Sequence, residues 1–136
     1  MKILIIFITL LIMFLAIIIL DYLWLGIITR KFLINQFGSL ISVKNGGVQI
    51  KLAVGLLAWL VIVSGCFIFA VNPSETLTKA VILGATFGFI SYAIYDLTNL
   101  AFIVDYPVKF VFADIVWGTV LCSIVSSVGF FIKNLF

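Results

Sequence analysis

Four long apolar runs dominate the chain, and each is long enough to cross a bilayer, which takes roughly 20 residues at about 1.5 Å of rise each. The first covers about residues 3–28 and opens with Ile3 to Leu20, where Thr9 is the only polar side chain. The second covers 52–71, with Ser64 and Cys66 as its only hydroxyl or thiol groups. The third covers about 77–104, and its last third carries Tyr95, Asp96, Thr98 and Asn99; the fourth covers about 108–132. Backbone groups in hydrocarbon must be bonded within their own segment, so the runs are predicted to be helices, and four of them leave no room for a closed barrel. The first run is too long for a secretory signal and no small-x-small cleavage site follows it, so it is expected to remain in place. The expected fold class is all-α: an integral membrane protein with four transmembrane helices in an antiparallel bundle, one domain over residues 1–136.

The connections differ in kind. Asn72-Pro73-Ser74-Glu75 reads as a helix stop and restart, with Asn72 or Ser74 as N-cap, so the second and third spans are expected to form a tight hairpin. Asp105-Tyr106-Pro107 gives the same signal between the third and fourth. The connection over 30–51 is longer and holds Arg30, Lys31, Lys44 and Lys51 with no acid, among Phe32, Leu33, Phe37, Leu40 and Ile41. Such a basic segment suits the headgroup region of an anionic leaflet. Gly46-Gly47 is expected to turn the chain into the second span. Arg30, Lys31, Lys44, Lys51 and Lys109 stand on the side of the first and third connections, against Lys2, Lys79 and Lys133 on the other. The excess of lysine and arginine predicts a multi-pass protein with the first and third connections in the cytoplasm and both termini on the non-cytoplasmic side.

Composition removes most soluble chemistry. With 65% hydrophobic and 10% charged residues and a mean hydropathy of +1.43, the chain lies far from a water-soluble domain, where about half and about a quarter are usual. No histidine is present, so the commonest general base and the usual zinc or haem ligand are missing. The net charge of +3 flanks apolar spans, which gives no groove for nucleic acid. No phosphate loop, dinucleotide fingerprint or nucleophile elbow occurs.

Three of the five acidic residues fall within the spans: Asp21, Asp96 and Asp114. A carboxylate at the membrane centre costs roughly 2.5–3.5 kcal/mol on insertion scales, so each needs an explanation. Asp21 stands nine residues before Arg30, Asp96 nine before Asp105 and Asp114 five after Lys109. At helical rise, all three then lie in the same half of the membrane, about 8–13 Å from those markers. In the third span Gly84, Gly88, Tyr92, Asp96 and Asn99 form one stripe; in the fourth, Asp114, Gly118, Cys122, Ser126 and Gly129 form another. Gly55, Ala58, Ile62, Gly65 and Ala70 make a weaker version in the second. Small residues let helices approach closely, so these stripes are expected to face the bundle interior.

The segment Asp21-Tyr22-Leu23-Trp24-Leu25-Gly26 is echoed by Asp114-Ile115-Val116-Trp117-Gly118-Thr119, each an Asp-x-x-Trp with glycine close behind. At i and i+3 an indole N–H of Trp24 or Trp117 can approach a carboxylate or rim the same cavity. The two copies would run antiparallel, as in an inverted repeat. A purely structural alternative stands beside this one: Asp114 as a first-turn carboxylate favoured by the helix dipole, and Asp21 bonded only to Trp, Tyr or backbone donors. Cys66 and Cys122 lie deep in their spans and are expected to act as small hydrophobes.

Around Tyr95-Asp96-Leu97-Thr98-Asn99-Leu100-Ala101 and Asp114 to Val120, together with Asp21-x-x-Trp24-Leu25-Gly26, the chain resembles a bacterial membrane-protein family, domain of unknown function 2177. The resemblance runs over essentially the whole chain and implies a four-helix membrane fold. It points to the same aspartates without implying a reaction. One departure is the apolar and acidic stretch Phe102 to Tyr106 ahead of Pro107. The expected site is therefore Asp21, Asp96, Asn99 and Asp114, with Trp24, Trp117, Tyr92 and Thr98 around it, serving proton- or cation-linked binding or transport of a small solute or lipid headgroup. Alternatives are a membrane-embedded enzyme acting on lipid through a divalent cation, and a non-catalytic scaffold. No cofactor is evident; if a cation is held, oxygen ligands from Asp21, Asp96 and Asp114 suit Mg²⁺, Ca²⁺ or Mn²⁺. Membrane lipids and a homo-oligomer are the expected partners.

Overall fold

The computed structural model describes residues 2–135. Helix α1 (Lys2–Asp21) continues through a π-helical segment, Tyr22–Ile28, and is followed by a short helix α2 (Arg30–Phe37). A small antiparallel hairpin of β1 (Val43–Lys44) and β2 (Gly47–Val48) precedes α3 (Leu52–Cys66), which ends in a second π-helical segment, Phe67–Val71. Then come α4 (Leu77–Phe102) and α5 (Val108–Lys133). Four spans are long and apolar enough to cross a membrane: Lys2–Ile28, Leu52–Val71, Leu77–Phe102 and Val108–Lys133.

Helix α5 is the hub, touching α1, α3, α4 and the π-helical end of the second span. Its buried residues include Val111, Asp114, Gly118, Cys122, Val125 and Gly129. The α4 seam of Ala80, Gly84, Gly88 and Asp96 lies directly on it. A Cβ on Gly88 would run into the Gly118 carbonyl, and one on Gly84 would stand 2.6 Å from the Cys122 carbonyl oxygen. Glycine at these positions is what lets the two backbones meet, the close approach that small residues permit where lipid gives no hydrophobic drive.

In α1 the inward seam is Thr9, Met13, Ile17 and Asp21, a strict i+4 series, while Ile3, Phe7, Leu11, Leu15 and Ile19 face outward. Met13 and Ile17 join Val63, Cys66, Val71, Leu121, Cys122 and Val125 in one core cluster.

The connections correct several expectations. Thr76, not Asn72 or Ser74, caps α4: its hydroxyl accepts from the Lys79 N–H at 3.2 Å. Ser74 instead donates back to the Ala70 carbonyl at 2.6 Å. The first connection turns at Asn45-Gly46, one residue earlier than expected, because both residues adopt the positive φ (52° and 72°) of a tight hairpin turn and Gly47 pairs in β2. Arg30 pins that hairpin by donating to the Gly46 carbonyl. The third span ends at Phe102, two residues short of the expected Val104, and Asp105 takes the left-handed conformation (φ 59°) in the connection. Of the small-residue stripe expected in the second span, Gly65 and Ala70 are buried, with the Phe87 ring against Gly65, and Ile62 is half-buried; Ala58 is exposed, and the inward line of α3 runs instead through Trp59, Val63 and Cys66.

Candidate functional site

The rise of a helix puts the polar groups on one level. Asp21 lies seven residues before the end of its span at Ile28 and Trp59 seven after Leu52; Asp96 lies six before Phe102 and Asp114 six after Val108. Each is then about 9–10 Å inside its span end. All three aspartates are buried.

They do not meet at one point. Asp21 forms one cluster. Its Oδ2 accepts from the Trp59 indole N–H at 2.6 Å and its Oδ1 from the Trp117 indole N–H at 2.7 Å. The first, second and fourth spans are thus joined through one carboxyl group, and each of its oxygens has a donor. Trp24 does not donate to Asp21, as the i, i+3 spacing allowed; it stacks on Trp117 with ring centroids 4.5 Å apart and planes 6° from parallel. The two Asp-x-x-Trp copies therefore meet face to face through their indoles, and the donor to Asp21 comes from across the bundle.

Asp96 and Asp114 form the second cluster. Asp96 is fully buried, and its Oδ1 accepts from the Tyr106 hydroxyl at 3.2 Å. Its Oδ2 has no hydrogen-bond partner among the described residues. The Asp114 carboxyl faces that of Asp96 within hydrogen-bonding range. Ionised carboxyl oxygens only accept, so their approach satisfies neither group until a proton or cation lies between them. Lys109 is exposed and Arg30 is engaged at Gly46, so neither neighbouring cation of the sequence donates to this pair.

Tyr106 is the link between the pair and the membrane surface. It lies outside the spans, yet it is buried, and its ring packs edge-on against Phe37 of α2 at 5.6 Å and Phe110 of α5 at 6.2 Å. Phe37 also meets Phe110 at 4.7 Å. The amphipathic α2 thus closes an aromatic cap over Asp96. Burial, reinforced by the neighbouring Asp96 carboxyl, holds the Tyr106 hydroxyl above the usual tyrosine range, so at neutral pH it is a donor.

The other expected residues divide. Asn99 is half-buried beside the Tyr106 hydroxyl, and the Tyr92 ring packs over Gly118 within electrostatic reach of both Asp21 and Asp114. Thr98 is exposed on the outer face and takes no part. Among the described residues, no three His, Cys, Asp or Glu side chains converge closely enough to hold a metal ion. Trp59 and Tyr106 join the two clusters although no sequence motif marks them. A signal for Trp59 does exist: a lone indole N–H inside an apolar span needs an acceptor, and three carboxyls share its depth, of which the packing selects Asp21.

Four membrane-crossing helices packed through glycine seams around buried carboxyls define a polytopic helical membrane protein. The chain belongs to the family described as "Predicted membrane protein (DUF2177)", whose model matches residues 5–131 and so includes all three aspartates. Neither the curated proteins nor the solved structures contain a match to it.

Proposed function

We propose that the Asp96/Asp114 pair takes up a single proton or one small monovalent cation inside the membrane, and that this exchange is coupled to binding of a small polar solute or lipid headgroup beneath the α2 cap. The observation that carries the proposal is the fully buried Asp96, whose Oδ2 has no hydrogen-bond partner among the described residues, with a second buried carboxyl, Asp114, beside it. An unpaired buried acceptor is costly, and one proton or cation between the two groups satisfies both. Tyr106 is the gate residue in this scheme: its hydroxyl holds Asp96, and its ring depends on Phe37, which belongs to a helix at the membrane surface. With the lysine and arginine excess inside, the cap and the pair face the cytoplasm of a bacterial cell.

Infrared difference spectroscopy of the full chain in liposomes tests this. A carboxylic-acid C=O stretch is expected in the absence of added salt, lost in Asp96→Asn and in Asp114→Asn, and diminished by Na⁺ or Li⁺ if a cation replaces the proton. If the parent protein shows no such band and responds to neither pH nor Na⁺ and Li⁺, the proposal fails.

A further inference from the structure

A second polar feature lies at the opposite membrane surface, in a half-open cavity of about 350 Å³ between the ends of the first, second and fourth spans. Its rim carries Lys2, Lys133 and Asn72, its walls include Ile5 and Phe67, and Thr9 is the deepest polar residue. Among the described residues, no acidic side chain lines it. Lys133 is not simply extended towards water. Its ammonium group donates to the carbonyls of Val71 at 3.2 Å and Asn72 at 2.9 Å, at the end of the π-helical segment, where the Val71 carbonyl also accepts from the Ser74 N–H at 3.3 Å. Two donors are used and a third N–H is left for another acceptor. Lys2 is exposed at the start of α1, whose free N–H groups add positive potential at the same end.

The depth of the cavity distinguishes its occupant. Below the Lys2 rim the walls are Ile5 and Ile6, about 5–6 Å further along the helix, and Phe67 five residues before Asn72, so the cavity turns apolar as it enters the hydrocarbon region. A free anion would use the rim and leave those walls without a partner. An anionic phospholipid uses both, with its phosphate between the lysines and an acyl chain against Ile5 and Phe67. We infer that this cavity is a binding site for one anionic phospholipid, independent of the carboxyl pair on the other side of the membrane.

Native mass spectrometry of the full chain, extracted from vesicles with equal phosphatidylglycerol and phosphatidylcholine, provides the test. One phosphatidylglycerol is expected to stay bound, with phosphatidylcholine retained far less. Lys2→Gln leaves the Lys133 contacts intact and is expected to lower retention about fivefold, the loss of one interfacial lysine. Lys79→Gln, at the same membrane surface but outside the cavity, should leave retention unchanged, and excess inorganic phosphate should not displace the lipid. Equal retention of both lipids, an equal loss in Lys79→Gln, no loss in Lys2→Gln, or displacement by phosphate would each overturn the inference. Lys133→Gln should also lose the lipid, but it removes the bonds to Val71 and Asn72 as well, so Lys2 carries the decision.

Discussion

Asp21 and the Asp96/Asp114 pair occupy the same level of the membrane, yet their surroundings are opposite. Asp21 has an indole N–H on each oxygen, from Trp59 and Trp117, and stitches three spans together. Asp96 has one phenol donor, one oxygen with none, and a second carboxyl in front of it. An intramembrane carboxyl is a functional candidate by default, but depth alone does not sort structural groups from reactive ones. The count of donors separates the two here: Asp21 has one on each oxygen, whereas Asp96 Oδ2 has none among the described residues. The two indole donors of Asp21 match the structural alternative read from the sequence for it, a carboxyl bonded only to Trp, Tyr or backbone donors, while Asp114 stands beside Asp96.

The sharpest way to break this contrast is Asp21→Ala, which strands two indole N–H groups. Each buried orphan costs about 1–3 kcal/mol, so a loss of about 2–6 kcal/mol is expected in detergent unfolding titrations, with a shift in tryptophan emission. A variant as stable as the parent would erase the distinction between the two clusters. Next comes Gly88→Ala. Its methyl would meet the Gly118 backbone, and overpacking of this kind costs about 1–3 kcal/mol. It should part Asp96 from Asp114 and disturb the carboxylic-acid band, with a smaller shift in tryptophan emission than Asp21→Ala, because Trp117 adjoins Gly118 while Asp21 and Trp59 lie on other spans.

Trp24→Leu removes the stack on Trp117 and should cost about 1 kcal/mol, again with a fluorescence change. The smallest expected effect on stability is that of Asp96→Asn. Its amide oxygen can still accept from Tyr106 and its NH₂ can donate to Asp114, so stability should stay within about 0.5 kcal/mol of the parent or rise. Proton or cation uptake should nevertheless disappear. A large loss of stability in Asp96→Asn, with uptake intact, would reverse the roles assigned to the two clusters.

Much of the frame was legible because it rests on quantities local to the chain. Span lengths follow from bilayer thickness and helical rise, and the common level of Asp21, Asp96 and Asp114 follows from counting residues to the span ends. The glycine seams of α4 and α5 stood out because small residues are rare among large apolar ones. In α1 the signal is thinner: Met13 and Ile17 on the inward side are as apolar as Phe7, Leu11 and Leu15 on the outward side, and only Thr9 and Asp21, twelve residues apart on one face, mark which side turns inward. A helix in lipid can turn about its axis at little cost in burial, and only contact with its neighbours settles the angle.

For the same reason the partners of the polar groups belong to the tertiary structure. The chain by itself determined four helices, their hairpin order and the depth of three carboxyls, since covalent geometry and the apolarity of lipid suffice for those. The rotations of α1, α3 and α5 decided that Trp59 and Trp117 reach Asp21. The glycine contact of α4 with α5 decided that Asp96 meets Asp114, and the docking of α2 through Phe37 decided that Tyr106 covers them. Hydrogen bonds act over a few ångströms between residues as many as 96 positions apart, so the pairing that separates the satisfied carboxyl from the unsatisfied one exists only once the helices are packed.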